Sequence, residues 1–204
     1  MENRFATMTR TEPSVLSTNK VIRNTYMLLS LTLAFSALLC AAGMALLGWA
    51  LGSAVIVQGG TQYVPMQFNT ALSALLIAAA LRLLAAGRRN LAALPMAPVV
   101  IVCIASLLEE YTGLMLGTGE WLVQHGIVAE GVMPGRMAPN TATAYLLACL
   151  GIALAPSGNK ASPSRWAATW ACGFVTTMIA FIVLAGYLMQ VPVLRGWGAF
   201  TPMA

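Results

Sequence analysis

Met137-Ala138-Pro139-Asn140-Thr141-Ala142, which stands immediately before the apolar run 143–155, decides the fold of this chain because it recurs. An earlier copy, Met66-Gln67-Phe68-Asn69-Thr70-Ala71, stands before a second apolar run, 72–86. Phe200-Thr201-Pro202-Met203-Ala204 resembles the opening of a third copy, which we expect to be clipped because the chain stops there. A polar motif that recurs before apolar runs approaching the length of a membrane crossing predicts an internally repeated membrane domain.

The composition supports a membrane protein, since 59% of the residues are hydrophobic and 8% are charged, whereas a soluble domain carries about 25% charged residues. Five apolar segments approach the length of a membrane-crossing helix: 26–47, 70–86, 91–108, 141–155 and 170–189. They lack the alternation of apolar and polar residues that barrel strands need. We therefore predict an all-α, polytopic transmembrane helix bundle of about five spans. It comprises an N-terminal helix and two repeated hairpins, at about 64–113 and 135–190.

The distribution of charge predicts the orientation of these spans. With a cytoplasmic N-terminus, all but two of the 11 basic residues, Arg136 and Arg195, lie on the inner side, as the positive-inside rule requires. This predicts a bacterial inner-membrane protein with its C-terminus outside, a cytoplasmic tail at 1–20 and one transmembrane domain at 21–204. The net charge of +5 is spread in this pattern and forms no basic face for nucleic acid.

The leader and first helix carry a resemblance of their own. The stretch that begins Ser14-Val15-Leu16-Ser17-Thr18-Asn19-Lys20-Val21-Ile22-Arg23-Asn24-Thr25-Tyr26 and continues to about residue 42 resembles the start of the YccA-like branch of the Bax inhibitor family. The resemblance implies a cytoplasmic N-terminus. It also implies one candidate function, the regulation of a membrane protease or an ion leak.

A second resemblance covers about 46–204. The motifs are Pro65-Met66-Gln67-Phe68-Asn69-Thr70-Ala71-Leu72, Leu107-Leu108-Glu109-Glu110-Tyr111-Thr112-Gly113, Pro134-Gly135-Arg136-Met137-Ala138-Pro139-Asn140-Thr141-Ala142 and Gly198-Ala199-Phe200-Thr201-Pro202-Met203-Ala204. In order and spacing they resemble the N-terminal multi-span input region of bacterial sensor histidine kinases and diguanylate cyclases. This resemblance implies a non-catalytic module that detects a signal at the outer face or in the membrane and relays it through its helices.

Two kinds of partner follow from these interpretations. The lipid bilayer surrounds the helices, and small-residue helix faces suit a membrane-protein partner or a second copy of the chain. A third candidate function, an accessory structural subunit of a larger membrane complex, therefore stays open. We predict no catalytic residues, no metal and no cofactor.

Carboxylates at the end of the third predicted span form the first candidate site. Glu109 and Glu110 border lipid, where a charge is costly unless it meets water or a partner. Adjacent helical residues point about 100° apart, so one can face the bundle and the other the headgroups. We hypothesise that Glu110 pairs with Arg136 and couples the long outer loop, residues 114–137, to the second hairpin. The alternative is a solvated helix end.

The asparagine and threonine of each repeated motif form the second candidate site. Asn69-Thr70 and Asn140-Thr141 stand where an inward helix begins, so each asparagine is expected to cap the exposed amides of the first turn. The alternative is an anion site at these helix N-termini with Arg136 nearby. His125, the sole histidine, lies in the same outer loop and is either an acid or metal sensor or an ordinary loop residue.

Glycines on the first helix predict close helix packing. Gly43, Gly48 and Gly52 leave a groove, and Gly48-x-x-x-Gly52 has the spacing at which two membrane helices approach closely. Alternatively, Gly52 simply ends the helix.

Overall fold

The computed structural model describes residues 15–58, 65–114, 116–123, 136–156 and 162–196, and all regular structure within these ranges is helical. The predicted all-α class is therefore confirmed. The elements are α1 (Val15–Ala50), α2 (Ala54–Gln58), α3 (Phe68–Ala85), α4 (Arg89–Thr112), α5 (Pro139–Leu154) and α6 (Pro163–Leu188). Two short 3₁₀ turns, Thr118–Glu120 and Pro192–Leu194, follow α4 and α6.

Three of the described helices, α3, α4 and α6, are long and apolar enough to cross a membrane. Two further predicted spans correspond to shorter apolar helices, Phe35–Ala50 within α1 and Pro139–Leu154. At 1.5 Å per residue the 16 residues of α5 extend about 24 Å, less than the hydrocarbon thickness of about 30 Å. The structure thus supports three spans by length and composition, and the count of five stays a prediction.

The chain divides into two compact units, Met1–Leu38 and Leu39–Ala204. In the first unit α1 begins at Val15, so the end of the predicted tail at 1–20 is helical, while residues 1–14 lie outside the described part. The second unit contains the two hairpins.

The two hairpins have the predicted order of helices. In the first, α3 packs against α4 and is joined to it by a turn at Gly87, whose φ of 74° is accessible to glycine because it has no Cβ. In the second, α5 packs against α6, and α5 also packs against both α3 and α4. The first helix of the second hairpin, α5, therefore packs against both helices of the first hairpin.

The main apolar core lies between α3, α4 and α5, where Ile77, Val99, Cys103 and Cys149 are among its buried members. A smaller cluster of alanines, Ala42, Ala45, Ala71 and Ala74, packs the end of α1 against α3. The helix α6 instead exposes large apolar side chains along most of its length. An apolar surface of this kind is typical of helices that face lipid.

Gly48 and Gly52 do not form the packing motif that their spacing predicts. The helix ends at Ala50, and Gly52 lies in the following turn with a φ of 63°, so Gly48 and Gly52 do not share a helix face. The alternative, in which Gly52 ends the helix, is confirmed. Gly48 does allow a close approach, since an added Cβ would lie 2.7 Å from Val57 Cγ2 of α2, whereas at Gly43 it would meet no described atom within 4 Å.

Candidate functional site

Buried polar side chains gather at one end of the hairpins, where α3 and α5 begin and α4 ends. Glu109 is 3% exposed and Thr118 is 1% exposed, and Asn69 and Asn140 are likewise buried. Burying such groups without hydrogen bonds is costly, so their partners explain why they are there. We call these residues the polar cluster: Asn69, Glu109, Glu110, Thr118, Arg136 and Asn140.

Thr118 joins the end of α4 to the start of α3. Its backbone N–H donates to Glu109 Oε1 at 3.0 Å, and its hydroxyl donates to Glu109 Oε2 at 2.5 Å. Its carbonyl oxygen accepts a bond from Asn69 Nδ2 at 2.9 Å. Gly113 and Gly117, both with positive φ, allow the chain to leave α4 and return to it within this short distance. One loop residue therefore holds two helix ends together.

The hypothesised ion pair between Glu110 and Arg136 is confirmed. Arg136 Nη1 lies 3.1 Å from Glu110 Oε2, and the two side chains are 17% and 8% exposed respectively. The neighbouring glutamates thus meet different partners, as expected for side chains about 100° apart on a helix. Arg136 stands just before α5, so the pair joins the end of α4 to the start of the second hairpin.

The prediction that Asn69 and Asn140 cap the helices α3 and α5 is wrong. The N-cap residues are Gln67 and Ala138, and the helices begin one residue later, at Phe68 and Pro139. Each asparagine is therefore the second residue of its helix, inside the first turn. Proline favours the first helical position because its ring fixes φ and its missing N–H would have no partner there, which explains the early start of α5.

Instead of capping, each asparagine closes its own hairpin. Asn69 Nδ2 donates to the Thr118 carbonyl, beyond α4, and Asn140 Nδ2 donates to the Arg195 carbonyl, beyond α6, at 3.4 Å. Asn140 Oδ1 also accepts the N–H of Thr141 at 3.1 Å. We call the Asn69–Thr118 and Asn140–Arg195 bonds the hairpin clasps. They occupy the equivalent position of the two motif copies.

Arg195 is held in place by contacts of its own. Its Nε donates to the Gly186 carbonyl at 3.3 Å, and its Nη2 donates to Gln190 Oε1 at 2.8 Å. Its guanidinium carbon lies 4.7 Å from the centroid of the Tyr187 ring, a cation–π contact. The carbonyl that Asn140 binds is therefore fixed to the end of α6.

The two motif copies are joined through their helices. Tyr145, in the second turn of α5, donates its hydroxyl to the Thr70 carbonyl in the first turn of α3 at 3.2 Å. Thr70 and Thr141 are themselves buried. An anion site at these helix starts stays a prediction, and the amide groups of both asparagines are engaged within the protein.

Sequence reasoning missed Thr118 and Arg195 as members of this arrangement. Thr118 lies between two glycines, nine residues after Glu109, and that isolated hydroxyl in an apolar, glycine-rich segment was the available indication. His125 lies outside the described residues. Among those that are described, no group of three or more His, Cys, Asp or Glu residues is placed to hold a metal ion.

The arrangement suits mechanical coupling, because its charged and polar groups bind one another and connect four helix ends.

Comparison with known proteins identifies no relative: no protein-family model, curated protein or solved structure matches the chain. The two family resemblances therefore stay predictions.

Proposed function

We propose that this chain is a non-catalytic membrane sensor module, which receives a signal at the polar-cluster end and relays it through its helices. The observation that carries the proposal is the attachment of the loop between α4 and α5 at both of its ends. Thr118 binds Glu109 and Asn69 near its beginning, and Arg136 binds Glu110 at its end. A stimulus that displaces Thr118 or Arg136 would therefore act on α3, α4 and α5.

The energies of these bonds suit a switch. Leaving a buried donor or acceptor without its partner costs about 1–3 kcal/mol. That range matches the coupling free energies of typical allosteric proteins, about 1–3 kcal/mol. On this proposal, breaking one contact of the polar cluster changes the arrangement of the helices.

The helices provide a route to the opposite end. The 18 residues of α3 and the 24 residues of α4 extend about 27 Å and about 36 Å from the polar cluster to the turn at Gly87. Residues of α3, α4 and α5 share one core, so a shift of α4 at the cluster is passed to its neighbours. Close packing transmits such shifts because an interior has few voids to absorb them.

The relay is tested with the full chain in lipid nanodiscs by hydrogen–deuterium exchange. Thr118→Val removes the hydroxyl bond to Glu109 while keeping the shape of the side chain. We expect faster exchange in α3 and α4 as far as the turn at Gly87, with α6 unchanged. Changes confined to residues 109–123 would contradict a relay.

Thr112→Val is the matched control. Thr112 is exposed, and its hydroxyl bonds only locally, to the Leu108 carbonyl and the Leu114 N–H. The same substitution there should leave exchange at the Gly87 turn unaltered.

Purification from native membranes separates sensor input from the two other functions suggested by the sequence. A kinase or cyclase bound to the chain would support the sensor module. A membrane protease would support the Bax-inhibitor-like regulator, and a stoichiometric complex without a signalling enzyme would support the accessory subunit.

A further inference from the structure

The end of the bundle opposite the polar cluster is basic. It contains the last turn of α3 and the starts of α4 and α6. Its arginines are Arg82, Arg88, Arg89 and Arg165. In the described part of the chain the carboxylates are Glu109, Glu110 and Glu120, and all three lie at the other end, at or after the last turn of α4. The basic end therefore has no described carboxylate to neutralise it.

Two adjoining hollows lie at this basic end. The first, with a volume of about 270 Å³, is lined by residues 87–91 and includes Arg88. The second, with a volume of about 240 Å³, has mostly apolar walls contributed by Leu84, Ala93, Met96 and Ile152 of α3, α4 and α5. Arg89 and Asn90 line both, so the hollow beside Arg88 adjoins the apolar crevice.

Arg89 gives this region a fixed shape. Its Nη1 donates to the Ala155 carbonyl at 2.7 Å, and its Nη2 donates to the Ala153 carbonyl. These bonds satisfy carbonyls at the end of α5, which lack partners within the helix. The start of α4 is thereby fastened to the end of α5, and the wall common to both hollows does not depend on a ligand for its position.

We propose that the two hollows together bind one anionic phospholipid from the leaflet at this end of the bundle. The phosphate lies in the first hollow beside Arg88, and the upper part of an acyl chain lies in the apolar crevice along Met96 and Ile152. Arginine suits the headgroup because its planar guanidinium donates paired hydrogen bonds to phosphate oxygens. The proposal rests on the chain lying in a bilayer and is independent of the signal relay.

The shape of the site favours a lipid over a free anion. A soluble phosphate would use the first hollow alone, whereas a phospholipid also fills the apolar crevice that adjoins it. At the start of α6, Trp166 and Trp170 are 51% and 71% exposed. Tryptophan is enriched where headgroups meet hydrocarbon, which is the depth at which a lipid phosphate would lie.

Native mass spectrometry of the full chain tests the headgroup part of the site. The protein is titrated with phosphatidylglycerol or phosphatidylcholine that carry identical acyl chains. We expect the anionic lipid to be retained preferentially and Arg88→Gln to reduce that preference about fivefold. Equal retention of the two lipids by the unmodified protein would overturn the proposal.

Arg165→Gln is the matched control for charge, since Arg165 is exposed at the same end and does not line either hollow. It should leave the preference for phosphatidylglycerol unchanged. An equal loss in Arg88→Gln and Arg165→Gln would show general attraction to a basic surface and would overturn a site in the hollows.

The crevice has a test that leaves the charge unaltered. Ala93→Phe fills it and should lower retention of phosphatidylglycerol, whereas Ala97→Phe, on an exposed position of α4 outside the crevice, should not. Inorganic phosphate should fail to displace bound phosphatidylglycerol at equal concentration. Unchanged retention by Ala93→Phe, or displacement by phosphate, would overturn the lipid as occupant.

Discussion

Thr118 uses all three of its polar groups, the N–H, the hydroxyl and the carbonyl, to connect two helix ends. The carboxylate of Glu109 is nearly inaccessible to water, so the two Thr118 donors replace the solvent that it would otherwise bind. Thr118 therefore holds this part of the loop in place as well as being part of the proposed relay.

The ion pair of Glu110 and Arg136 yields a prediction at the same scale. Glu110→Gln removes one charge of a pair that is mostly excluded from water and leaves Arg136 without its counter-ion. We expect the free energy of unfolding to fall by about 1–3 kcal/mol, measured by thermal unfolding in nanodiscs.

Glu120→Gln provides the control for this prediction, because Glu120 is exposed and removing its charge leaves no buried cation behind. Its effect should be within about 0.5 kcal/mol of zero. If both variants unfolded at the temperature of the unmodified protein, the ion pair would have no role in holding the loop.

Residues differed in how far the sequence revealed their roles. Glu110 and Arg136 were predicted to pair because a charge beside lipid needs a counter-ion, and few basic residues were predicted to lie on the outer side. Thr118 was missed because a single hydroxyl has no periodic pattern and its partner Glu109 is reached only through turns made by two glycines. The roles of the asparagines were wrong because capping was inferred from the motif alone, whereas the helices begin before them.

At the scale of the element, the connection between α1 and α2 depends on a glycine. Gly48→Ala would place a Cβ 2.7 Å from Val57 Cγ2 and 3.0 Å from the Val57 backbone N, so α2 must shift. We expect a loss of about 1–3 kcal/mol in the free energy of unfolding. Gly43→Ala, on the same helix but in open space, should stabilise by about 0.5–1 kcal/mol, and a similar loss in both variants would contradict the packing.

The end of α5 depends on a side chain from another helix. Arg89→Met removes the donors to the Ala153 and Ala155 carbonyls, so the last turn of α5 should fray. Amide exchange at residues 151–156 is expected to accelerate by at least about tenfold. Arg82→Met, an exposed change in the last turn of α3, should leave those amides unaffected, and equal exchange in the two variants would count against the contact.

The positions of the helices could be predicted from the sequence, but the residues at which they begin could not. Long apolar runs interrupted by glycine and charge predicted both hairpins, because a backbone in hydrocarbon must form its hydrogen bonds internally. The early starts of α1, α3 and α5 were not predicted. Apolar residues mark the segment that crosses the membrane, but they do not show how far polar residues continue the helix beyond it. The length of α5 likewise leaves the number of spans open.

On the scale of the whole molecule, the polar cluster and the basic end should lie on opposite sides of a membrane. Glu120→Cys is expected to react with a membrane-impermeant thiol reagent in intact cells, and Arg88→Cys only after the cells are permeabilised. The prediction follows from the charge distribution, with basic residues favouring the cytoplasmic side. Labelling of both from outside would contradict the topology, and the unmodified chain, with its four cysteines, gives the background.

The hairpin clasps also bear on how the protein is made. Asn69 enters a nascent hairpin well before Thr118 is synthesised, and Asn140 likewise precedes Arg195. Until the later residue emerges from the ribosome, each asparagine amide lacks its final partner near hydrocarbon, where an unsatisfied polar group is costly. Each hairpin is thus completed by a residue that follows its second helix, so its clasp can form only after both helices of the pair have been made.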